Sequence, residues 1–234
     1  MFRTLLFCGL GAALAATSAS CIDPDITRFD LRMQERSFMI DTAQWELSGA
    51  SGAVFPSVPC SADPSICDTT VDMVCGGMLC TGVCGANDMC EMHALVSLRR
   101  DVDLYSENPE LQTINDQPLV DVRVESVYYT VTENTLNIAT PEFTLYMAPQ
   151  NVFSGDAPEA REVGRIEPIA AMSQKGRTEI LVDEVQETSL RSFMSDYRTP
   201  FNIIIEAEIL VQAGDPIPTG RISTQVGVDA SAGL

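Results

Sequence analysis

Cysteine offers the widest chemistry in this 234-residue chain, which carries eight of them. Six, Cys60, Cys67, Cys75, Cys80, Cys84 and Cys90, fall within 31 residues that also hold Gly76, Gly77, Gly82 and Gly85. So short and glycine-rich a stretch cannot bury a useful core by itself and needs staples. Thiols at this density either oxidise to disulfides or hold a metal as thiolates. Zinc sites are built on close pairs such as Cys-x-x-Cys. Here the intervening lengths are six, seven, four, three and five residues, and no such pair occurs. Three disulfides are therefore predicted, each stabilising by roughly 2–4 kcal/mol. The spacing allows 15 pairings and selects none of them.

Other candidates for chemistry are sparse. His93 is the only histidine, so a Ser-His-Asp enzyme would have to use it, yet no nucleophile pattern surrounds it. It reads as a partly solvated strand histidine. Glu206 and Glu208 share one face of a strand at about 6.5–7 Å, inside the separation of an inverting glycosidase pair. Such an acid and base must flank a glycosidic bond from different sides, so side-by-side carboxylates read as a solvated sheet face. Gly49-Ala50-Ser51-Gly52-Ala53 approaches Gly-x-Ser-x-Gly but has alanine where the last glycine belongs, and reads as a spacer. No His-Glu-x-x-His, phosphate-cradling glycine loop or dinucleotide fingerprint is present. Asp23-Pro24-Asp25, Asp101-Val102-Asp103 and Asp183-Glu184 offer oxygen donors for calcium, but none follows the EF-hand order. No catalytic residue, cofactor site or metal ligand is assigned; calcium is the one ion that the composition makes plausible, and the acids otherwise read as serving solubility and repulsion from an acidic membrane surface.

Charge narrows the partners. Against 33 acids stand 14 cations, a net −19, and Lys175 is the only lysine. With 45% hydrophobic residues this is not a disordered acidic tail. A chain so acidic has no general attraction for phosphate backbones, and 6% aromatic content gives few stacking platforms. Nucleic-acid binding is excluded on these grounds.

The N-terminus reads as an address. Arg3 is followed by an uncharged run from Leu5 to Ala16 and then by the small residues Ala15 to Ser20. A bilayer-spanning helix needs roughly 20 apolar residues, so this run is too short to remain as one. Residues 1–20 are predicted to be a cleaved export signal. The residue that follows is Cys21, preceded by Ala19 and Ser20. This arrangement resembles a bacterial lipoprotein signal, although Ser18 stands where that family usually has leucine. The resemblance implies that Cys21 becomes the mature first residue and carries the acyl chains. Parity agrees: Cys8 leaves with the signal, the compact six pair off, and Cys21 is the odd one. Each buried methylene of an acyl chain contributes about 0.8 kcal/mol, so several chains anchor firmly. Loss of residues 1–20 removes Arg3 and no acid, leaving a mature charge of −20 from 13 cations and 33 acids.

The mature chain divides into an N-terminal segment and spacer (21–59), the cysteine-rich segment (60–91) and a strand-rich domain (92–234). Phe29, Leu31 and Met33 alternate with polar residues as a half-buried strand, with a second element over Phe38-Met39-Ile40 and Trp45. Whether this region pairs with the later strands is left open. Strands are predicted at Met92–Arg99, from Val120, over Phe143–Met147, over Gly164–Ile169 and over Thr178–Val182. The apolar set Val120, Val122, Val124 slips to Val127, Tyr129, Val131, which places a β-bulge near Ser126. Leu190, Phe193, Met194 and Tyr197 recur at helical spacing, with Thr188 or Ser189 as the cap and Pro200 as the stop. A turn of helix over Pro109–Ile114, capped by Asn108, is a weaker signal.

The last two strands present one apolar face each: Phe201, Ile203, Ile205, Ala207, Ile209, Val211, and Ile222, Val226, Val228. Read as a hairpin across Gly214-Asp215-Pro216, they predict Ile203 opposite Val228, Ile205 opposite Val226, Ile209 opposite Ile222 and Glu208 opposite Ser223. The fold class is all-β: an antiparallel β-sandwich with one short helix, preceded by a small disulfide-rich segment. From Leu119 to about Ala230, the strand order and the Gly220-Arg221-Ile222 edge resemble the late-embryogenesis-abundant, water-stress type of β-sandwich. No functional residue is transferred from it. The expected protein is exported, lipid-anchored through Cys21 and non-enzymatic, with a sandwich that binds an envelope or extracellular ligand or serves structurally. A secreted carboxylate hydrolase and a calcium-dependent adhesion module are the alternatives.

Overall fold

A computed structural model describes residues 28–45, 47, 53–76, 80–114 and 119–233. Two antiparallel sheets face each other across one core. One sheet has the order β1 (Phe29–Asp41), β9 (Arg221–Gly233), β4 (Val120–Asn134), β7 (Lys175–Glu179). The other has the order β2 (Cys80–Cys84), β3 (Cys90–Val102), β8 (Phe201–Val211), β5 (Phe143–Pro149), β6 (Arg161–Ile166). Among the described residues three α-helices accompany them: α1 (Ile66–Asp72), α2 (Leu104–Glu107) and α3 (Glu184–Ser195). None is long and apolar enough to cross a membrane.

Period-2 patterning explains which face of each strand is buried. Met92, Ala94 and Val96 of β3, Leu145 and Met147 of β5, and Ile203, Ile205 and Ile209 of β8 point inward from one sheet. Val127, Tyr129 and Val131 of β4 and Val226, Val228 and Ala230 of β9 meet them from the other. Each fully buried side chain of this size stabilises by roughly 1.5–3 kcal/mol. The predicted bulge is present, since the β4–β9 register shifts between Val124 and Ser126. A second shift explains β1. Leu31 and Met33 are buried before it, Phe38 and Ile40 after it, and the register breaks between Met33 and Arg36. The two elements read separately in the sequence are one strand, and it pairs with β9.

The C-terminal hairpin is not formed. β8 pairs with β3 and β5, and β9 pairs with β1 and β4, so the two lie in opposite sheets. Ile203 stands opposite Arg100 and Met147 rather than Val228, while Val228 stands opposite Met33 and Val127. Glu208 faces Leu95, and Ser223 faces Met39 and Glu133. Alternation reports which face is buried, and both faces are indeed buried. It does not report the partner. The link between β8 and β9 reaches the facing sheet, about 10 Å away, instead of turning back in the same one. Gly220 makes that arrival possible: its φ is +98°, and a β-carbon there would overlap the carbonyl of Thr135.

The helix anticipated around Leu190 starts five residues before Ser189. Asp183 caps it, accepting from the Gln186 amide at 2.8 Å while the Gln186 side chain accepts from the Asp183 amide at 2.9 Å. This capping box outcompetes Thr188 and Ser189, whose hydroxyls donate back to Glu184 and Val185 carbonyls inside the helix. Residues 109–114 form hydrogen-bonded turns rather than a helix, directly after α2. The strands expected at 164–169 and 178–182 are β6 and β7, each beginning three residues earlier and ending three earlier.

All six cysteines of the stapled segment are paired: Cys60–Cys84, Cys67–Cys90 and Cys75–Cys80. The first two interleave: Cys67–Cys90 ties α1 to β3, and Cys60–Cys84 ties the segment before α1 to β2. Gly82 lets β2 lie against α1, because a β-carbon there would overlap the Cys67 carbonyl. β2 and β3 form a hairpin, with Cys84 opposite Cys90. The stapled segment thus continues directly into the larger sheet.

Candidate functional site

Inward burial of one residue set leaves the alternate set on the outer face of the five-stranded sheet. There the β3–β8 register places His93 opposite Leu210, Leu95 opposite Glu208 and Ser97 opposite Glu206. The residues singled out for chemistry therefore do share one surface. Val83, Leu95 and Leu210 are exposed beside them, so the surface mixes acids with apolar side chains.

Ser97, Glu206 and Glu208 each have a definite partner. Glu206 accepts from the Ser97 hydroxyl at 2.8 Å and from the Gly155 amide at 3.0 Å. That amide belongs to the loop after β5, which covers a small second apolar cluster of Ala148, Val152 and Ile204. Asn202 holds the same loop, its side-chain amide donating to the Gln150 carbonyl at 3.0 Å and the Val152 carbonyl at 2.7 Å. Glu206 is thus a loop anchor. Glu208 accepts from His93 Nδ1 at 2.8 Å. The other ring nitrogen has no hydrogen-bond partner among the described residues and lies 3.9 Å from a Glu91 oxygen. Glu91 in turn accepts from the Gln212 amide at 3.2 Å.

These contacts are not arranged as a nucleophile and its base. Ser97 is two same-face steps along β3 from His93, about 13 Å, and it donates to Glu206 instead. Glu206 and Glu208 stand side by side, one turned to the loop and the other to the histidine. The partners of Glu206 were not legible in the sequence, because Ser97 and Gly155 reach it through pairings 109 and 51 residues apart.

The remaining candidates fall elsewhere. Asp103 caps α2 by accepting from the Ser106 amide, and Asp183 caps α3. Asp101 lies 3.9 Å from Arg99. Cys8, Cys21, the Asp23-Pro24-Asp25 stretch and residues 48–52 of the spacer lie outside the described residues. The sulfurs of Cys60, Cys67 and Cys90 lie within 4.8 Å of one another. They do so because two disulfides pack together, and oxidised sulfur has no thiolate to give a metal.

A cavity of about 480 Å³ opens elsewhere, between β6, β7 and the start of α3, lined in part by Glu142, Arg165, Glu167 and Glu179. Arg165 is engaged with Glu162 at 2.8 Å and Glu142 at 2.9 Å, and the hydrogen bonds it donates to those carboxylates raise its pKa further. The Lys175 ammonium lies 3.2 Å from the Tyr129 hydroxyl, so this cation too is held by the sandwich.

No known protein family matches the chain, and no curated protein matches it. Among solved structures, a chain of Desmodium yellow mottle tymovirus aligns with 100% of this chain and 97% of its own length. The identity is 10% and the TM-score 0.18, far below that of chains sharing a fold.

Proposed function

We propose that this is an exported protein, lipid-anchored at Cys21, that holds a non-catalytic β-sandwich at the cell envelope for binding or structural support. The observation that carries the reading is the complete pairing of Cys60, Cys67, Cys75, Cys80, Cys84 and Cys90. Disulfides at this density belong to oxidising compartments. Cys8 belongs to the export signal, which leaves Cys21 as the odd cysteine of the mature chain, in the position where a lipoprotein signal places its acylated residue. The engagement of Glu206 with a loop and of Glu208 with His93 favours a binding or structural surface over a carboxylate hydrolase.

Intact mass spectrometry of protein extracted from its native membrane tests this. The expected mass begins at Cys21, carries acyl chains and lacks the six hydrogens lost in three disulfides. A mature chain cut at Ser20 without acyl mass would remove the anchor. A chain retaining Met1 with free thiols would overturn the whole reading.

A further inference from the structure

β8 is paired unequally on its two sides. β3 accompanies it to the end, with Met92 opposite Val211. β5 accompanies it only as far as Thr144 opposite Glu206. Continued in the same register, Glu142 would stand opposite Glu208 and Thr140 opposite Leu210. That continuation fails at Pro141, which has no N–H to give a ladder. The preceding residues bond elsewhere: the Thr140 amide donates to the Ile169 carbonyl at 2.9 Å and the Asn137 amide to the Thr219 carbonyl at 3.0 Å. Between this diverging segment and residues 208–211 lies a groove of about 460 Å³. Its apolar lining includes Ile138, Pro141, Leu210 and Pro216, its charged lining is Glu208 and Asp215, and among the described residues no cation lines it.

We infer that this groove is a docking slot for an extended basic peptide segment of a partner protein, which enters as a short strand beside β8. The inference rests on the binding-module reading of the sandwich and deepens it, and it does not need the lipid anchor. A sheet edge bare of a neighbour presents backbone donors and acceptors that another chain can pair with. Four residues at about 3.3 Å each give roughly 13 Å of such edge, room for three or four peptide residues. Three other edges, those of β6, β7 and β1, are guarded. β6 carries Arg161 and Arg165, β7 carries Lys175 and Arg177, and β1 is crossed by Arg36 and Arg100 contacts to neighbouring segments. The β8 edge carries Leu210, 46% exposed, and Glu208, whose side chain is 61% exposed. An apolar side chain two positions from a Lys or Arg fits that pair, and the net −19 draws a basic segment toward it.

The test uses the oxidised mature protein and a set of acetylated pentapeptide amides, Lys-Φ-Arg-Φ-Lys, with Φ as Val, Leu or Tyr. Saturable binding below about 1 mM is expected, with amide NMR shifts concentrated at residues 207–211. Methylating alternate peptide nitrogens removes the donors for strand pairing and should weaken binding at least about tenfold. Leu210→Lys should do the same while the melting temperature stays unchanged. Equal binding by the methylated peptides would reduce the effect to charge attraction and overturn the slot, as would no saturable binding by any of the set. Acyl mass on Cys21 together with absent peptide binding would discard the slot and keep the anchored-protein reading.

Discussion

The stapled segment and the sandwich solve the same problem by different physics. Residues 60–84 offer little apolar volume, and the buried side chains there are chiefly cysteines with Val71 and Val74. These few residues join the main buried cluster, and crosslinks that restrain the unfolded chain supply the rest. Outside β2 and the first residue of β3, the sandwich has no crosslink among its described residues and instead buries continuous rows of Ile, Leu, Val and aromatic side chains between two sheets. β3 belongs to both, starting at Cys90 in a disulfide and ending at Val102 in the sandwich core. The lesson is that a chain can append a segment with little apolar volume of its own to a folded domain by lending it one strand and a share of the domain's buried cluster.

Reduction breaks the comparison with the largest expected effect. On the chain-entropy view, loops of 24 and 23 residues are worth about 3.4 kcal/mol each and the five-residue loop about 2 kcal/mol. Reduced protein should show fast amide hydrogen exchange over residues 60–84, while β4 and β9 stay protected. Parallel loss of protection in β4 and β9 would mean that the two regions fold as one unit.

Leu145→Ala acts from the other side. Leu145 is fully buried in β5, and its truncation should cost about 2–5 kcal/mol, expressed as one cooperative fall in melting temperature with all three disulfides intact. A thermal scan in which only part of the signal moves would sharpen the boundary between the two regions.

How far the sequence reached follows the same division. Local patterns were legible: period 2 marked β3, β4, β5, β8 and β9, and the phase slip at Ser126 marked its bulge. Cysteine density pointed to three disulfides. Long-range choices were not legible. Nothing in the alternation of Ile203 or Val228 says which sheet receives it, and nothing near Cys60 says that its partner is Cys84. The capping box Asp183-x-x-Gln186 was a readable signal that the stronger apolar spacing of Leu190 and Met194 obscured. At the candidate site, the shared face of Glu206 and Glu208 was foreseen. Their engagement by Gly155 and His93 depends on a loop closure and a strand pairing that no local spacing encodes.

The smallest effect concerns acid. Asp121 bonds Arg123 and Arg28, and its pKa is lowered below 3.8, chiefly by the Arg123 hydrogen bond. Arg28 immediately precedes β1 and Asp121 lies in β4, and these two strands flank β9, so the ion pair straps the end of three strands. A carboxyl with a depressed folded pKa binds more protons when unfolded, so its contribution is present above the unfolded value and is lost as pH falls through the folded one. Because the group is at the surface and screened by solvent, the loss is local and slight. The expected outcome is a fraying of the first residues of β1 below about pH 4, read as faster exchange at Phe29–Leu31. Asp121→Asn should show that exchange already at neutral pH and no further acid dependence there. An unchanged acid profile in this variant would assign the strap to other contacts and leave β1 held by its pairing with β9 alone.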